Sequence, residues 1–380
     1  MKVLWYGKWE NVDGNHTYMK TLSAIQANRG HRVIVTYFGD EHTNLQERHP
    51  RITYVPLPYL YWTQPWTLSH PSAARRFREI LCSYQPDLVH ASLAVSNFDP
   101  FIPKICRQTG IPWIATFHVS FANHLDRYSL FSYFNHLLYR KTLMAAARVI
   151  IFSQRQRAYI NSMLKIPLDL MEVVPNGVDC RVYTPGPSEF REGMDADFVV
   201  GYFGRLAPEK NVGKLCEAFL DLNEARSCLV IMGKGISERR LRRKYGCRPR
   251  IIFCGYRSKV HEKLDVLRGF DVFVLPSSIE GLSLSLLEAM SCAVPPVVTD
   301  VGGNAELARG AGVIVTPKAI RTGVREALRH LKGDSGLMKS LGEEARRRVS
   351  SRFSWELNSA RLEEIYNKVV GGLFSPREMI

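Results

Sequence analysis

Residues 198–210 read FVVGYFGRLAPEK, an apolar run that ends in a glycine and is followed by two basic side chains. The run is short and rich in β-branched and aromatic residues, which favours a strand over Phe198–Tyr202 that is buried on both faces. Helix-period segments and short apolar runs alternate on both sides of it, beginning with a strand over Lys2–Tyr6, a helix over Asn15–Arg29 and a strand over Arg32–Tyr37. This repetition predicts an α/β protein whose parallel sheets are covered by helices on both faces.

The length of the chain predicts two domains. It has 380 residues, whereas a typical domain has about 150. The segment Val174–Glu192 is rich in proline, glycine and other turn-forming residues, a composition typical of a linker. We therefore expect a first domain over residues 1–185, a second over residues 186–355, and a terminal helical segment over residues 356–380.

The composition excludes several classes of protein. Hydrophobic residues make up 46% of the chain and charged residues 23%, which excludes a disordered or low-complexity protein. No stretch approaches the roughly 18 apolar residues of a membrane span, and Met1–Tyr6 does not have the pattern of a signal peptide. The eight cysteines form no CxxC pair. These features predict a cytoplasmic protein with reduced cysteines and no structural zinc.

The charge of the chain is strongly positive and unevenly distributed. The formal net charge is +15, and residues 51–157 hold twelve Lys/Arg against four Asp/Glu, a net of +8. Such a surface attracts nucleic acid, anionic lipid headgroups or phosphorylated ligands. A second basic cluster, Arg239–Lys244, lies in a segment with helical periodicity and is interpreted as a solvated helix face.

Two clusters of polar residues follow predicted strands in the second half of the chain. The first is Gly204–Lys210, which comes directly after the strand quoted above. Ligands of open α/β sheets bind beyond the carboxyl ends of the strands, so Arg205 and Lys210 lie where an anionic ligand would arrive. A planar guanidinium and a point-charge ammonium together suit a diphosphate.

The second cluster combines two acids with a helix start. Gly281 permits close approach of a ligand to the backbone, and a helix that begins near Leu282 would offer the N–H groups of Leu282 and Ser283 to phosphate oxygens. Glu280 precedes this helix and Glu288 lies within it. One of these carboxylates can therefore bind hydroxyls on one side of a phosphate group while the other binds hydroxyls on the far side, as a nucleotide sugar requires.

The two clusters together carry a resemblance to a known family. Gly204–Lys210 with Glu280-x7-Glu288 resembles the donor-site signature of the retaining glycosyltransferases of family 4, which have the GT-B fold. The resemblance implies two doubly wound Rossmann-like domains whose parallel sheets face a cleft. It implies that the first domain binds the acceptor, that the second binds the nucleotide-sugar donor, and that the C-terminal helix crosses back to the first domain.

Other segments resemble the same family in the same order along the chain. They are Val174–Asp179 for the interdomain segment, Gly302-Gly303 with Glu306 for the turn after the acidic helix, and Phe353–Trp355 for the start of the C-terminal helices.

The resemblance also implies roles for individual residues. Arg205 and Lys210 would stabilise the departing diphosphate, whereas His118 and Glu280 would hold the transferred sugar; these four are the expected catalytic residues. Base contacts are expected from the loops around Gly233 and Tyr256. The full set of expected donor-binding residues is Gly14, Asn15, Arg205, Lys210, Gly233, Tyr256, Glu280, Gly281, Leu282, Ser283 and Glu288.

Two stretches depart from the family pattern. A single glycine, Gly14, followed by Asn15, stands where a pair of glycines is common. Ala293 and Pro295-Pro296 replace a glycine-bearing turn, and a local change in packing is expected there.

The expected reaction needs no metal and no cofactor, because two cations are available for the diphosphate and the nucleotide sugar is itself a substrate. The resemblance implies transfer of a hexose with retention of anomeric configuration. Family frequency favours UDP as the nucleotide, with GDP or ADP as alternatives.

A dense group of aromatic and basic residues in the first half predicts the acceptor. Tyr and Trp favour the headgroup level of a bilayer, and Lys and Arg favour anionic lipid. We expect a peripheral enzyme on the cytosolic face of an anionic membrane that glycosylates a lipid or glycolipid. The residues expected to contact the acceptor or membrane are Tyr59, Tyr61, Trp62, Trp66, Arg75, Arg76 and Arg78.

Three alternatives stay open. The aromatic side chains could instead pack against the sheet or line the site of a soluble or polysaccharide acceptor. A nucleotide-sugar 2-epimerase would share the fold, although the Glu280-x7-Glu288 pattern disfavours it. A polyanion-binding protein would explain the charge, but no zinc finger, RNA-recognition signature or helix-turn-helix pattern occurs, so nucleic acid is not an expected partner.

Overall fold

The structure is a computed structural model of the chain. The residues that it describes are 1–9, 14–39, 48–62, 67–93, 96–118 and 137–372, without the side chain of Trp62. They form two compact units. The first takes its described residues from positions 1–118, 137–176 and 355–372, and the second is 177–354.

A parallel sheet of seven strands forms the centre of the first unit. Its strands are β1 (Lys2–Gly7), β2 (Arg32–Phe38), β3 (Ile52–Leu57), β6 (Leu88–Ser92), β7 (Trp113–Thr116), β8 (Arg148–Ile151) and β9 (Met171–Val173). Their order is β3-β2-β1-β6-β7-β8-β9. The chain order reverses beside β1, which is the place where open α/β sheets bind ligands.

Helices and one hairpin surround this sheet. The helices are α1 (Gly14–Asn28), α2 (Ala73–Tyr84), α3 (Ile102–Thr109), α4 (residues 137–144) and α5 (Gln154–Leu164). The hairpin pairs β4 (Tyr59–Trp62) with β5 (Thr67–Ser69) in antiparallel fashion. Among the described residues, no helix is both long enough and apolar enough to cross a bilayer.

One helix of the first unit ends earlier than the sequence predicts. The periodicity of Leu130–Ala147 predicts a helix through Ala147, but α4 ends at residue 144. The N–H of Ala147 instead donates to the carbonyl of Trp113 at 2.9 Å, which draws the chain into the sheet before β8. Residues 130–136 lie outside the described part.

A second parallel sheet forms the centre of the second unit. Its strands are β10 (Phe198–Phe203), β11 (Ser227–Met232), β12 (Ile251–Gly255), β13 (Val272–Leu275), β14 (Pro296–Thr299) and β15 (Val313–Val315). Their order is β12-β11-β10-β13-β14-β15. The apolar run at residues 198–203 thus forms the central strand β10, whose apolar side chains are buried because helices cover both faces.

Eight helices of the second unit connect and cover its strands. They are α6 (Glu189–Glu192), α7 (Val212–Leu222), α8 (Glu238–Tyr245), α9 (Val260–Arg268), α10 (Leu284–Ser291), α11 (Asn304–Ala308), α12 (Ile320–Gly333) and α13 (Ser335–Arg352). The basic cluster lies on α8, where Leu241 and Tyr245 are buried and the arginines are exposed, as the sequence indicated.

The last helix, α14 (Trp355–Val370), belongs to the first unit. Its Tyr366 hydroxyl lies 2.5 Å from Nδ1 of the buried His90, whose Nε2 lies 2.6 Å from Oγ1 of Thr116. The ring of His90 also stacks on Trp5 at 3.8 Å. This polar contact ties α14 to the centre of the seven-stranded sheet.

The division between the units falls at Asn176–Gly177, earlier in the chain than the predicted boundary at residue 185. Residues 177–185 belong to the second unit because hydrogen bonds hold them there. The carbonyl of Tyr183 accepts from Ser291 at 2.7 Å, and that of Thr184 accepts from Arg268 at 2.8 Å.

Candidate active site

The loop after β10 follows the neighbouring strand closely. The N–H of Gly204 donates to Met232 at 3.1 Å, and that of Leu206 donates to Lys234 at 2.9 Å. A side chain on Gly233 would place its Cβ atom 1.9 Å from the Gly204 carbonyl oxygen, so glycine is required at this approach. The two loops are therefore held together at the carboxyl edge of the sheet.

The two cations of this loop each bind a carboxylate. Arg205 Nη2 lies 2.6 Å from Oε1 of Glu209, and the Arg205 side chain is half exposed. Lys210 Nζ forms an ion pair with Glu280 in a more buried setting, where the side chains are 15% and 8% exposed. Lys210 is thus oriented toward the acidic loop, whereas Arg205 keeps access to solvent.

The Glu280 carboxylate is fixed by further contacts. The hydroxyl of Ser277 donates to the same Oε1 atom at 2.7 Å. Behind it, Gly302 has a φ of +56°, and a Cβ there would lie 2.2 Å from the carbonyl oxygen of Glu280. The resulting close packing of the two loops holds Glu280 at the end of β13.

The start of α10 differs from the prediction. The helix begins at Leu284, and the Ser283 hydroxyl caps it by accepting from the N–H of Leu286 at 3.4 Å. The N–H of Ser283, expected to bind phosphate, donates to Oδ1 of Asn304 at 2.9 Å. Ser283 therefore acts as the N-cap of α10. Asn304, which accepts from its N–H, is a residue of the candidate site that the sequence did not indicate.

Glu288 is paired with a lysine that the sequence analysis missed. Its Oε1 atom lies 2.7 Å from Nζ of Lys263, and both side chains are 15% exposed. Lys263 lies in the first turn of α9, where it follows no motif. Only the folded structure, which brings this lysine of α9 to Glu288 of α10, reveals the pair.

The expected base-contact region contains an accessible aromatic ring. The N–H of Gly233 donates to Gly255 at 2.8 Å, which joins the ends of β11 and β12. Beside this bond, Lys234 Nζ lies 4.4 Å from the centroid of the Tyr256 ring, which is partly exposed. A planar base could stack on this ring.

A separate polar cluster lies at the carboxyl edge of the first sheet. His118 Nε2 lies 2.8 Å from Oγ of Ser92, and the Ser92 hydroxyl donates to Oδ1 of Asn15 at 2.6 Å. The rings of Tyr18 and Phe152 pack against His118 with centroids 5.0 and 5.1 Å away. Burial lowers the pKa of His118 to about 3, so its imidazole is neutral at neutral pH.

Gly14 is the first residue of α1, directly before Asn15. The amide nitrogen of Asn15 donates to the carbonyl of Leu93 at 3.3 Å. The structure therefore brings Asn15 and His118 together through Ser92, a residue that no sequence pattern singled out.

Among the described residues, no three His, Cys, Asp or Glu side chains are arranged to hold a metal ion. Asp195-Ala196-Asp197 has the spacing of a metal-binding DxD motif, but both carboxylates bind Arg226, at 3.3 and 2.7 Å. They also precede β10, away from the carboxyl edge of the sheet.

The residues expected to contact the acceptor or membrane differ in their exposure. Tyr61 is 65% exposed on the hairpin, whereas Tyr59 is partly buried and packs against the core of the first unit. Trp66 and the side chain of Trp62 lie outside the described part. Arg75 and Arg76 share Glu79 at 3.8 and 3.4 Å, and Arg78 donates to Gln108 at 2.5 Å.

Two protein-family models match successive parts of the chain. Residues 12–182 match Glycosyltransferase Family 4, and residues 197–334 match Glycosyl transferases group 1. The chain is a glycosyltransferase of family 4. The two doubly wound units built on parallel sheets confirm the expected GT-B fold.

Three known proteins are similar to this enzyme. The 2-deoxystreptamine N-acetyl-D-glucosaminyltransferase of Streptomyces fradiae is 28% identical, over 79% of this chain and 77% of its own. A GDP-mannose-dependent monoacylated alpha-(1-6)-phosphatidylinositol monomannoside mannosyltransferase of Corynebacterium glutamicum is 28% identical over 51% and 55%. The Anabaena protein HepE, solved in complex with UDP-glucose, has a TM-score of 0.78 at 19% identity and covers 97% of this chain and 100% of its own.

Proposed function

We propose that the enzyme transfers a hexose from a nucleotide diphosphate sugar, with UDP as the nucleotide, to a hydroxyl group of a membrane lipid or glycolipid, with retention of configuration. The observation that carries the donor assignment is the pair of acid–lysine contacts at one sheet edge, Lys210 with Glu280 and Lys263 with Glu288. Carboxylates accept hydrogen bonds from sugar hydroxyls, and the cations attract phosphate.

The chemistry follows from where charge develops. As the sugar–phosphate bond breaks and the acceptor oxygen bonds to the sugar, the departing diphosphate takes up the hydroxyl proton, and Lys210 and the half-exposed Arg205 would stabilise its negative charge. Glu280 would bind hydroxyls of the sugar, and Glu288 would bind those of the ribose. His118 would accept a hydrogen bond from the transferred sugar rather than act as a general base, because its depressed pKa makes it a weak base.

The reaction is proposed to proceed without a metal ion. Two cations of the chain serve the role that a divalent ion would otherwise have at the diphosphate. Turnover should therefore be unchanged by an excess of EDTA. A loss of turnover that Mg²⁺ or Mn²⁺ restores would contradict this part of the proposal.

The nucleotide is tested by thermal shift. UDP, GDP, ADP and their common sugar conjugates are added at saturating concentration, which stabilises a binding protein by a few kcal/mol, about 2.7 kcal/mol at a hundredfold excess over Kd. One relative is GDP-mannose-dependent and one neighbour was solved with UDP-glucose, so UDP and GDP are the central comparison. No shift with any nucleotide would overturn the proposed function and favour the polyanion-binding alternative.

A lipid acceptor is supported by the exposed surface of the first unit. Tyr61 is 65% exposed on the hairpin. Leu60, which is 56% exposed, lines a shallow groove together with Leu68 and Phe101. These residues could enter the boundary between headgroups and acyl chains.

A cleft of about 370 Å³ is lined by Arg75 and Arg76 and by the acidic Glu79. Within the part of the chain that the structure describes, both guanidinium groups pair with the one carboxylate of Glu79. Two guanidinium groups near an apolar groove suit a lipid with a phosphate in its headgroup.

Flotation with vesicles of phosphatidylglycerol and phosphatidylcholine tests the lipid proposal. The unaltered enzyme is expected to float at moderate salt, and Leu68→Ser should reduce the bound fraction. Leu168→Ser is the matched control, because Leu168 and Leu68 are both 47% exposed and both lie in the first unit. No flotation of the unaltered enzyme would favour a soluble or polysaccharide acceptor.

A further inference from the structure

The Glu288 carboxylate depends on a partner from another helix. Glu288 lies in α10, and Lys263, 2.7 Å away, lies in α9. A mostly buried carboxylate is costly unless a cation or hydrogen-bond donors satisfy it. Lys263 meets this need and at the same time restricts the directions in which the carboxylate can turn.

Lys263 is itself held in place by two aromatic rings. Its Nζ atom lies 4.8 Å from the centroid of the Tyr183 ring and 5.2 Å from that of Phe203. Cation–π attraction of this kind strengthens when water is excluded. Phe203 is the last residue of β10, so the lysine is anchored to the central strand of the sheet.

The hydroxyl of Tyr183 acts on Glu288 as well. Burial, followed by the charge of Glu288 and a hydrogen bond to it, raises the pKa of Tyr183. The phenol stays protonated and donates to the carboxylate. The backbone of Tyr183 is fixed in turn, since its carbonyl accepts from Ser291 at 2.7 Å and from Arg346 at 2.6 Å.

We propose that Lys263 and Tyr183 are positioning residues that hold the Glu288 carboxylate in the orientation that accepts hydrogen bonds from the ribose hydroxyls of the donor nucleotide. This inference rests on the proposed function. The carboxylate is ordered before the donor arrives, so less conformational entropy is lost on binding. Lys263 acts through Glu288 and makes no contact with the nucleotide.

The test compares UDP with 2′,3′-dideoxy-UDP, which lacks the ribose hydroxyls, by calorimetry. The unaltered enzyme should bind UDP more tightly. Lys263→Met should weaken UDP binding about tenfold, the effect of losing one hydrogen bond to a charged group, and leave the dideoxy analogue within about twofold. Lys263→Arg, which keeps the charge, should restore most of the UDP affinity.

A matched control and a double variant separate positioning from other roles. Lys244→Met removes a more exposed lysine–glutamate pair of the same unit, with Nζ of Lys244 2.9 Å from Oε1 of Glu217, and should change neither affinity. Combined with Glu288→Gln, Lys263→Met should add almost no further loss, because both changes act on one contact.

Several outcomes would overturn the inference. Equal weakening of both nucleotides by Lys263→Met would mean a general structural defect or a phosphate contact, and so would additive losses in the double variant. If Lys263→Met does not fold, Tyr183→Phe replaces it, with an expected loss of about threefold for UDP alone. An enzyme that binds neither nucleotide contradicts the proposed function, whereas one that binds both equally contradicts only the role given to Glu288 and its partners.

Discussion

The Oγ atom of Ser92 lies between Nε2 of His118, at 2.8 Å, and Oδ1 of Asn15, at 2.6 Å. The Asn15 amide is oriented by its bond to Leu93, so the Ser92 hydroxyl gives its one proton to Asn15 and must accept from His118. The neutral imidazole therefore carries its proton on Nε2. Nδ1 then carries no proton and can accept a hydrogen bond.

The first prediction concerns this choice of tautomer. Ser92→Ala removes the acceptor of the Nε2 proton and should lower kcat/KM for sugar transfer about tenfold, as the loss of an orienting hydrogen bond does. Steady-state kinetics of nucleotide release check this result. Ser23→Ala is the control, because the Ser23 hydroxyl donates only to the carbonyl of Lys20 within α1. Unchanged kinetics in Ser92→Ala would remove the serine from the mechanism.

The second prediction concerns stability between pH 7 and pH 5. Burial lowers the pKa of His16 to about 4 and that of His118 to about 3, and it holds the pKa of His90 well below its usual value. Unfolded histidines titrate near 6.5, so the unfolded state binds more protons in this range. Stability is therefore complete above pH 6.5 and falls as the pH drops.

Each of these histidines should contribute up to about 1.4 kcal/mol per pH unit below 6.5. The midpoint of thermal unfolding should decline steadily from pH 7 to pH 5, and His118→Gln should decline less steeply. A midpoint that does not change with pH in this range would contradict the neutral state of these side chains in the folded enzyme.

The third prediction concerns the charge at the diphosphate. Lys210→Met leaves Glu280 without its cation and should lower kcat about a hundredfold, in the range found when one electrostatic stabiliser is removed. Glu288→Ala should weaken donor binding while the fold stays intact. Lys214→Met on the exposed side of α7 serves as control. Turnover near that of the unaltered enzyme in both site variants would refute the assignment.

The fourth prediction concerns the loop behind Glu280. Gly302→Ala would force a Cβ to within 2.2 Å of the Glu280 carbonyl at a φ of +56°. Stability should fall by about 1–3 kcal/mol, and nucleotide binding should weaken because Glu280 shifts. Gly333→Ala has no atom within 4 Å of the new methyl group and should fold and bind normally. Circular dichroism melts and the UDP titration measure both effects.

Much of the fold could be predicted because the apolar runs are local signals. The run at residues 198–203 became the central strand, and Glu280 and Glu288 were indicated by their spacing. Partners from distant segments were not indicated. Lys263, Ser92 and Asn304 follow no pattern, and each reaches its polar partner only after the sheet of its own unit is assembled.

The start of α10 shows how a boundary prediction goes wrong. The sequence placed the start near Leu282, but the Ser283 side chain caps the helix, which begins two residues later at Leu284. The environment of Tyr59 was not decided by the sequence either. Its aromatic type fits a bilayer surface and a protein core equally well, and its partial packing against the core became visible only in the structure.

The first unit is discontinuous in the chain, and this has a consequence for biosynthesis. Residues 177–354 must leave the ribosome before Tyr366 of α14 can reach His90, which in turn contacts Thr116. The first unit is therefore synthesised early but lacks its last helix until residues 355 and beyond are made. The described residues of the second unit are by then all synthesised. A nascent chain arrested before Trp355 should present its amino-terminal half to chaperones and proteases in an unfinished state, and release of the last helix should end that exposure.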